Sequence, residues 1–181
     1  EHTDFCRFNA GQVRQAGHVR QLELTLRLIV GRRHAALTVS VGDDAPATAR
    51  ATLASLRGWI AHLPDDPHLM WEQTGGLRGE TVALGDLIDG PDAAAAICRA
   101  AAGTDLVGIL ASGPIARGFA SSRGARAFHA ATSWHLDYSL HLSGDKAVKA
   151  SIAGRDWNEA ALQASIEDAR SRLALLTLPV V

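Results

Sequence analysis

The 181-residue sequence predicts an α+β fold built from two antiparallel-meander-plus-helix units. Three observations carry that expectation. Leu22, Leu24, Leu26, Leu28 and Val30 alternate with Glu23, Thr25 and Arg27, the period-two pattern of a half-buried strand. The same alternation recurs in short runs between Gly118 and Gly154. Finally, Ala49, Leu53, Leu56, Ile60 and Leu63, and later Leu162, Ile166, Ala169, Leu173 and Leu176, repeat at four-three-four-three spacing. Each of these two sets lines one face of a helix.

Taken in chain order, the pattern from Phe5 to Val41 is that of antiparallel strands. Gly31-Arg32 permits a tight turn from the leucine strand into a second alternating strand carrying Leu37, Val39 and Val41. Asp44 can cap the helix that follows, Pro46 suits its first turn and Pro64 stops it. Between Pro64 and Gly90, two prolines and glycines at 75, 76, 79, 85 and 90 read as a connector with short elements, with the glycine-rich Gly75–Thr81 as a plain loop. Asp92–Ala102 is an alanine-rich helix, with Gly103 in the position of a C-terminal cap. Five short strands then follow, near 106–111, 115–120, 125–131, 134–142 and 147–153, broken by Ser-Gly-Pro, Ser-Ser-Arg-Gly and Ser-Gly-Asp-Lys turns. Asp156 is the expected cap of the last helix.

The expected organisation is therefore a first α+β unit over 1–64, a connector with the alanine-rich helix over 65–104, and a second α+β unit over 105–181. Phe8–Pro64 and Phe119–Pro179 share the order strands, glycine turn, strand, capped helix. This suggests an internal structural repeat, testable by comparing strand orders.

Eighteen basic against nineteen acidic residues leave a formal charge of −1, which gives no electrostatic footprint for nucleic acid or an anionic membrane. The longest apolar runs carry charges and fall short of the roughly 20 residues a bilayer span needs. Cys6 and Cys98 are the two cysteines, which fits a reducing compartment, with cytoplasm as the expected location. The chain opens at Glu1 with neither Met nor a secretory pattern, and its apolar end, Leu173–Val181, stops in mid-run. A trimmed start and a further element after Val181 are the expectations.

Catalytic motifs are scarce in the sequence. Gly75–Thr81 lacks the Gly-Lys-Ser/Thr of a phosphate loop, and no Gly-x-Ser-x-Gly elbow positions a serine. Cys6 and Cys98 read as buried structural thiols. His129, His135 and His141 are spaced six apart, about 20 Å on a straight strand, too far for two of them to share a metal. Only a chain reversal near Ala131-Thr132-Ser133 would bring His129 to His135. One strand face nevertheless carries His135, Asp137, Ser139 and His141, opposite Trp134, Leu136, Tyr138, Leu140 and Leu142. It is either a solvated sheet face or the lining of a groove or subunit contact, with His135 and Asp137 close enough to interact. Arg123, at the tip of Ser121-Ser122-Arg123-Gly124, is a turn residue or a substrate contact.

Arg7-Phe8-Asn9 through Gln12, the Leu22-x-Leu-x-Leu-x-Leu strand and Gly31-Arg32-Arg33 resemble the first domain of the TldD/PmbA family. Phe119-Ala-Ser-Ser-x-Gly124, Asp145-Lys146-Ala147-Val148-Lys149 and Ala153-Gly154 resemble its middle domain. The resemblance implies bacterial zinc metallopeptidases and their metal-free partner subunits, paired as homo- or heterodimers that cleave unfolded or leader peptides inside a cavity. Catalytic members carry His-Glu-x-x-x-His in their C-terminal half, and no His-Glu pair occurs here. Zinc is thus expected only in a missing C-terminal half or in the partner, and no catalytic or metal residue carries over. Arg123, His129, His135, Asp137 and His141 remain as substrate- or interface-facing candidates. The leading expectation is a non-catalytic N-terminal part, inactive alone, that contributes to the peptide cavity and dimerisation. One alternative is a free-standing peptide- or protein-binding module that uses an exposed sheet edge. Another is a small hydrolase using His129, His135 and Asp137.

Overall fold

The alternating segments do form strands, and these sort into two sheets. A computed structural model describes residues 1–71, 76–142 and 145–177. In chain order the elements are β1 (His2–Asn9), β2 (Gln12–Arg20), β3 (Glu23–Val30), β4 (Arg33–Ser40), α1 (Ala45–Ile60), β5 (Arg78–Ala83), α2 (Gly90–Ala100), β6 (Asp105–Ala120), β7 (Arg126–His141), β8 (Ala147–Gly154) and α3 (Glu159–Leu175). The mixture of helices and antiparallel pairs is the α+β class that the sequence predicts.

Two compact units divide the chain. One comprises Glu1–Arg20, Arg78–Ala120 and Arg126–Val181; the other comprises Gln21–Leu77 and Ser121–Ala125. This division departs from the expected boundaries at 64 and 104. The reason is pairing: β1 joins β6, about a hundred residues later in the chain, through the register Asp4↔Ser112 to Phe8↔Gly108. The N-terminal hairpin thus belongs with the C-terminal strands, and the supposed connector supplies β5 and α2 to the same unit.

In the larger unit the sheet order is β2-β1-β6-β7-β5, with β8 also paired to β7. The outer side of β7 is shared: its first half takes β5 in parallel, its second half β8 antiparallel. The smaller unit holds a two-stranded sheet, β3-β4, with α1 packed on both strands. The strand orders of the two segments therefore differ, and the expected internal repeat is not found. Helical phase repeats in this chain without a repeat of topology, because any helix on a sheet needs the same apolar stripe.

Gly31-Arg32 makes the predicted turn of the small hairpin, with Gly31 at φ 61°. Asp44 caps α1 by accepting from the Ala47 amide at 2.8 Å, and Thr52, Leu56 and Ile60 are buried beneath the helix. The alanine-rich α2 begins two residues earlier than expected, capped by Asp89 with Pro91 in its first turn. The last helix is capped by Asn158, whose side chain accepts from the Ala161 amide at 2.9 Å. Asp156, the expected cap, instead accepts from the Asp86 amide at 2.9 Å and ties the α3 entry to residue 86. Asn158→Ala should lower the stability of the unit by about 1 kcal/mol, the usual cost of losing an N-cap. Chemical denaturation would read it as a lower midpoint at unchanged slope.

Two further corrections concern the five-strand meander. Strands 106–111 and 115–120 are one strand, β6, and 125–131 and 134–142 are one strand, β7, paired without a break from Asp105↔His141 to Ala120↔Arg126. The Ser-Gly-Pro segment does not turn. Gly113 takes φ 152° beside the carbonyl of His2, and Pro114 lies past the last β1 rung at Ser112, where its missing N–H breaks no ladder on that side. Ala131-Thr132-Ser133 has none of the Gly, Pro or Asn that reverses a chain, and it runs straight. Arg78–Ala83, which overlaps the Gly75–Thr81 stretch read as loop, is the edge strand β5; nearly every residue in it is exposed, so no apolar alternation marks it. The Ser143-Gly144 part of the last turn and the helix stop at Pro179 lie outside the described residues.

One face of the large sheet makes the core. Cys6 and Phe8 of β1, Leu106 and Leu110 of β6, Trp134, Leu136, Tyr138 and Leu140 of β7 and Val148 of β8 are buried there. Ala93, Ala96 and Ile97 of α2 and Leu162, Ile166, Ala169 and Leu173 of α3 close over them. Trp134 lies at the centre, 4.7 Å from the Trp157 ring, with its Nε1 donating to the Asp156 carbonyl at 2.9 Å. Arg170 donates to the Ala100 and Ala102 carbonyls at 2.9 and 2.7 Å, placing a cation at the C-terminal end of α2. Among the described residues no helix is long and apolar enough to cross a membrane.

Candidate functional site

Both helices of the larger unit cover one sheet face, so the other presents its side chains to solvent. The pleat decides which. On β7, Trp134, Leu136, Tyr138 and Leu140 point into the core, while His135 is exposed and Asp137, Ser139 and His141 are half-buried on the opposite face. The two-sided strand read from the sequence is therefore observed. Cross-strand neighbours extend the face on both sides: Asp137 lies between Ile109 and Ser151, Ser139 between Val107 and Lys149, and His141 between Asp105 and Ala147.

Asp137 is engaged, but by Lys149 rather than by the expected His135. Its Oδ2 lies 3.2 Å from the lysine Nζ. With the lysine side chain 73% exposed, this pair contributes about 0–1 kcal/mol. His135 sits in a row between Ala111 and Ala153, which offer it no polar partner. His129 is exposed farther out, flanked by Arg117 and Thr81. Since β7 does not reverse, His129 and His135 stay about 20 Å apart, as do His135 and His141. That spacing removes the hydrolase reading, which required His129 and His135 to converge with Asp137. Among the described residues no group of three His, Cys, Asp or Glu gathers as a metal site. Arg123 belongs to the smaller unit, where its guanidinium lies 4.2 Å from the centroid of the Trp71 ring.

A shallow concavity of about 700 Å³ opens on the same sheet face. Its floor includes Gly108, Val107 and Ile109, its far wall Asp137 and Lys149, and its near wall Arg7, Asn9 and Arg14. The sequence reading missed Arg7, Arg14 and Lys149. The local reason for Arg14 is a register shift: Arg7 pairs with Gln15 but Phe8 with Val13, so Arg14 is an extra residue in β2. Such a bulge re-aims a side chain, here toward the concavity. Gly108 stands opposite Tyr138 on the core side of the pleat, where a Cβ would come within 2.8 Å of the Tyr138 Cβ.

The opposite, buried face holds two groups with perturbed acidity. Burial, and secondarily the nearby Cys98, pushes the Cys6 thiol up from its ordinary value. Tyr138 is also pushed up, first by burial and then by Asp168, against the lowering effects of its 2.8 Å hydrogen bond with Ser165 and of Arg172. Both raised values favour the neutral form in the folded state. Their stabilising contribution is complete below the unfolded values, about 8.5 and about 10, and is lost as pH rises through the higher folded ones. Thermal melts should therefore lose stability progressively above about pH 9, and Cys6→Ser with Tyr138→Phe should flatten that alkaline limb.

Comparison with known proteins bears on the fold. No family model matches this sequence, and no curated protein matches it by sequence. Among solved structures, TldE from Thermococcus kodakarensis superposes over 96% of this chain with a TM-score of 0.73 at 12% identity. A protein described as a modulator of DNA gyrase, from Bacteroides thetaiotaomicron, superposes over 96% with a TM-score of 0.70 at 13% identity. The chain spans 42% and 43% of the lengths of those two proteins. At such identities the likeness establishes a shared fold, and the fold is the one that the TldD/PmbA resemblance implies.

Proposed function

We propose that this chain is the non-catalytic N-terminal part of a TldD/PmbA-type peptidase assembly, in either the zinc-bearing or the metal-free type of subunit. In this reading the open face of the large sheet lines a peptide cavity, and the unit helps to hold a homologous partner in a homo- or heterodimer. Metal chemistry is supplied by residues outside this chain, and the assembly processes unfolded or leader peptides in the cytoplasm. The observation that carries the proposal is the superposition with TldE over 96% of this chain and 42% of that protein. It is supported by the polar face of β7, which carries the exposed or half-buried His135, Asp137, Ser139 and His141.

A second reading rests on the sheet edges. β2 is a nine-residue edge strand bonded to β1 alone among the described strands, a geometry open to strand addition by a peptide in a free-standing module. The intact mass of the natural polypeptide separates the two. A mass more than about twice 19.1 kDa is expected for the peptidase part. A mass near 19.1 kDa would overturn that reading in favour of the module.

A further inference from the structure

We infer that the concavity on the open sheet face is a carboxylate-reading site, with Arg7 and Arg14 as the recognition pair for an extended acidic peptide. The inference rests on the peptide-cavity reading and adds to it a ligand chemistry. Its first support is charge. Arg7, Arg14 and Lys149 line the concavity, and Asp137 is its acid. Lys149 is already matched by Asp137 at 3.2 Å. Among the described residues neither guanidinium has an ion-pair or hydrogen-bonding partner. The local balance is thus two guanidinium groups in excess, in a chain whose overall charge is only −1. Such a focus of positive potential is local to the site and not a property of the whole surface.

The second support is construction. In the regular hairpin that the Ala10-Gly11 turn begins, Arg7 and Arg14 would stand directly opposite, where like charges repel. The extra residue in β2 leaves them as neighbours on one face but out of direct register. That arrangement keeps two planar forks free for bidentate bonds to a carboxylate. A third support is shape: Val107 and Ile109 are each 38% exposed on the floor, an apolar strip that suits the side chains of an extended segment between the charged walls.

The carboxylate can be a Glu or Asp side chain or a peptide C-terminus, and the test separates them. Binding of an eight-residue peptide to the 181-residue chain is measured by fluorescence anisotropy, using a neutral dye at the N-terminus and an amidated C-terminus. Two glutamates are placed two positions apart, on one side of a strand. It should bind about tenfold or more tightly than its Gln counterpart, the scale of a charge-assisted bidentate contact. Arg7→Gln with Arg14→Gln should abolish the preference without changing the melting temperature, since neither side chain makes an internal bond. Arg7→Lys with Arg14→Lys should restore part of it, and Arg50→Gln, on α1, should leave it unchanged. A Gln peptide with a free C-terminus that matches the Glu peptide would identify the terminal carboxylate as the ligand. Equal binding of the Glu and Gln peptides together with a free terminus that adds nothing, no binding of any peptide, or a preference that survives in the double Gln variant would overturn the inference. Intact mass does not enter this assay, so the two proposals fail independently.

Discussion

Trp134→Ala is expected to unfold the larger unit at ambient temperature or bring it close to unfolding, with a loss of about 3–5 kcal/mol. The side chain is 2% exposed, among the largest in the core, and β7 places it between β6 and β8. Two losses combine. Removing the indole opens a cavity where Trp157 packs at 4.7 Å. It also leaves the Asp156 carbonyl without its 2.9 Å donor, and that residue is the one fastening Asp86 to the start of α3. Against a typical domain stability of about 5–15 kcal/mol, such a loss is a large fraction of the total. Trp134→Phe keeps an aromatic ring but not the donor, and should fall between the two. Urea unfolding followed by far-ultraviolet circular dichroism reads both; an alanine variant within about 1 kcal/mol of the parent would contradict the assigned core.

Gly113→Val should be nearly as damaging. At φ 152° an L side chain is strained, and a Cβ there would lie 2.1 Å from the His2 carbonyl oxygen and 3.2 Å from the Thr3 Cα. Backbone strain and overpacking cost about 1–3 kcal/mol each, so a total of about 2–6 kcal/mol is expected. The strand β1 must move away from β6 to admit the side chain. Amide exchange should therefore accelerate first at Thr3–Phe5, before any change in the β6–β7 ladder. Uniform acceleration across the sheet would mean that position 113 acts on the whole unit and not on the β1 junction.

Much of this architecture is legible in the residues, for identifiable reasons. Strands with one buried face announce themselves, which is why Leu24–Leu28 and Trp134–Leu142 read correctly, and so do the helices with full apolar stripes. Strands with two wet faces do not: Arg-Gly-Glu-Thr-Val-Ala of β5 has the composition of a loop, and only its parallel pairing with Arg126–Ala131 makes it a strand. Turn residues mislead when tertiary contacts use their conformational range differently, as at Ser112-Gly113-Pro114. The polar face of β7 was visible from sequence, with His135, Asp137 and His141 on the side assigned to them. What it meets across the sheet was not, because registers such as Asp137↔Ile109 and Arg7↔Ile109 join segments remote in the chain. For Arg7 and Arg14 a signal did exist: they stand equally far on either side of Ala10-Gly11, and a two-residue turn brings equidistant positions together.

The pairing of β1 with β6 also sets an order of events during synthesis. The residues Gln21–Leu77, which make up most of the smaller unit, leave the ribosome before any of β6 exists. Its helix and hairpin are close neighbours in sequence and form from local contacts, whereas β1 and β2 must wait about a hundred residues for their partner. For that interval the N-terminal hairpin has an open edge and an uncovered Cys6-Phe8 face. A nascent chain halted at Gly103 should therefore present a protease-resistant segment beginning near Gln21, with the hairpin before it cut away; resistance beginning at Glu1 would mean that the hairpin finds shelter before β6 is made.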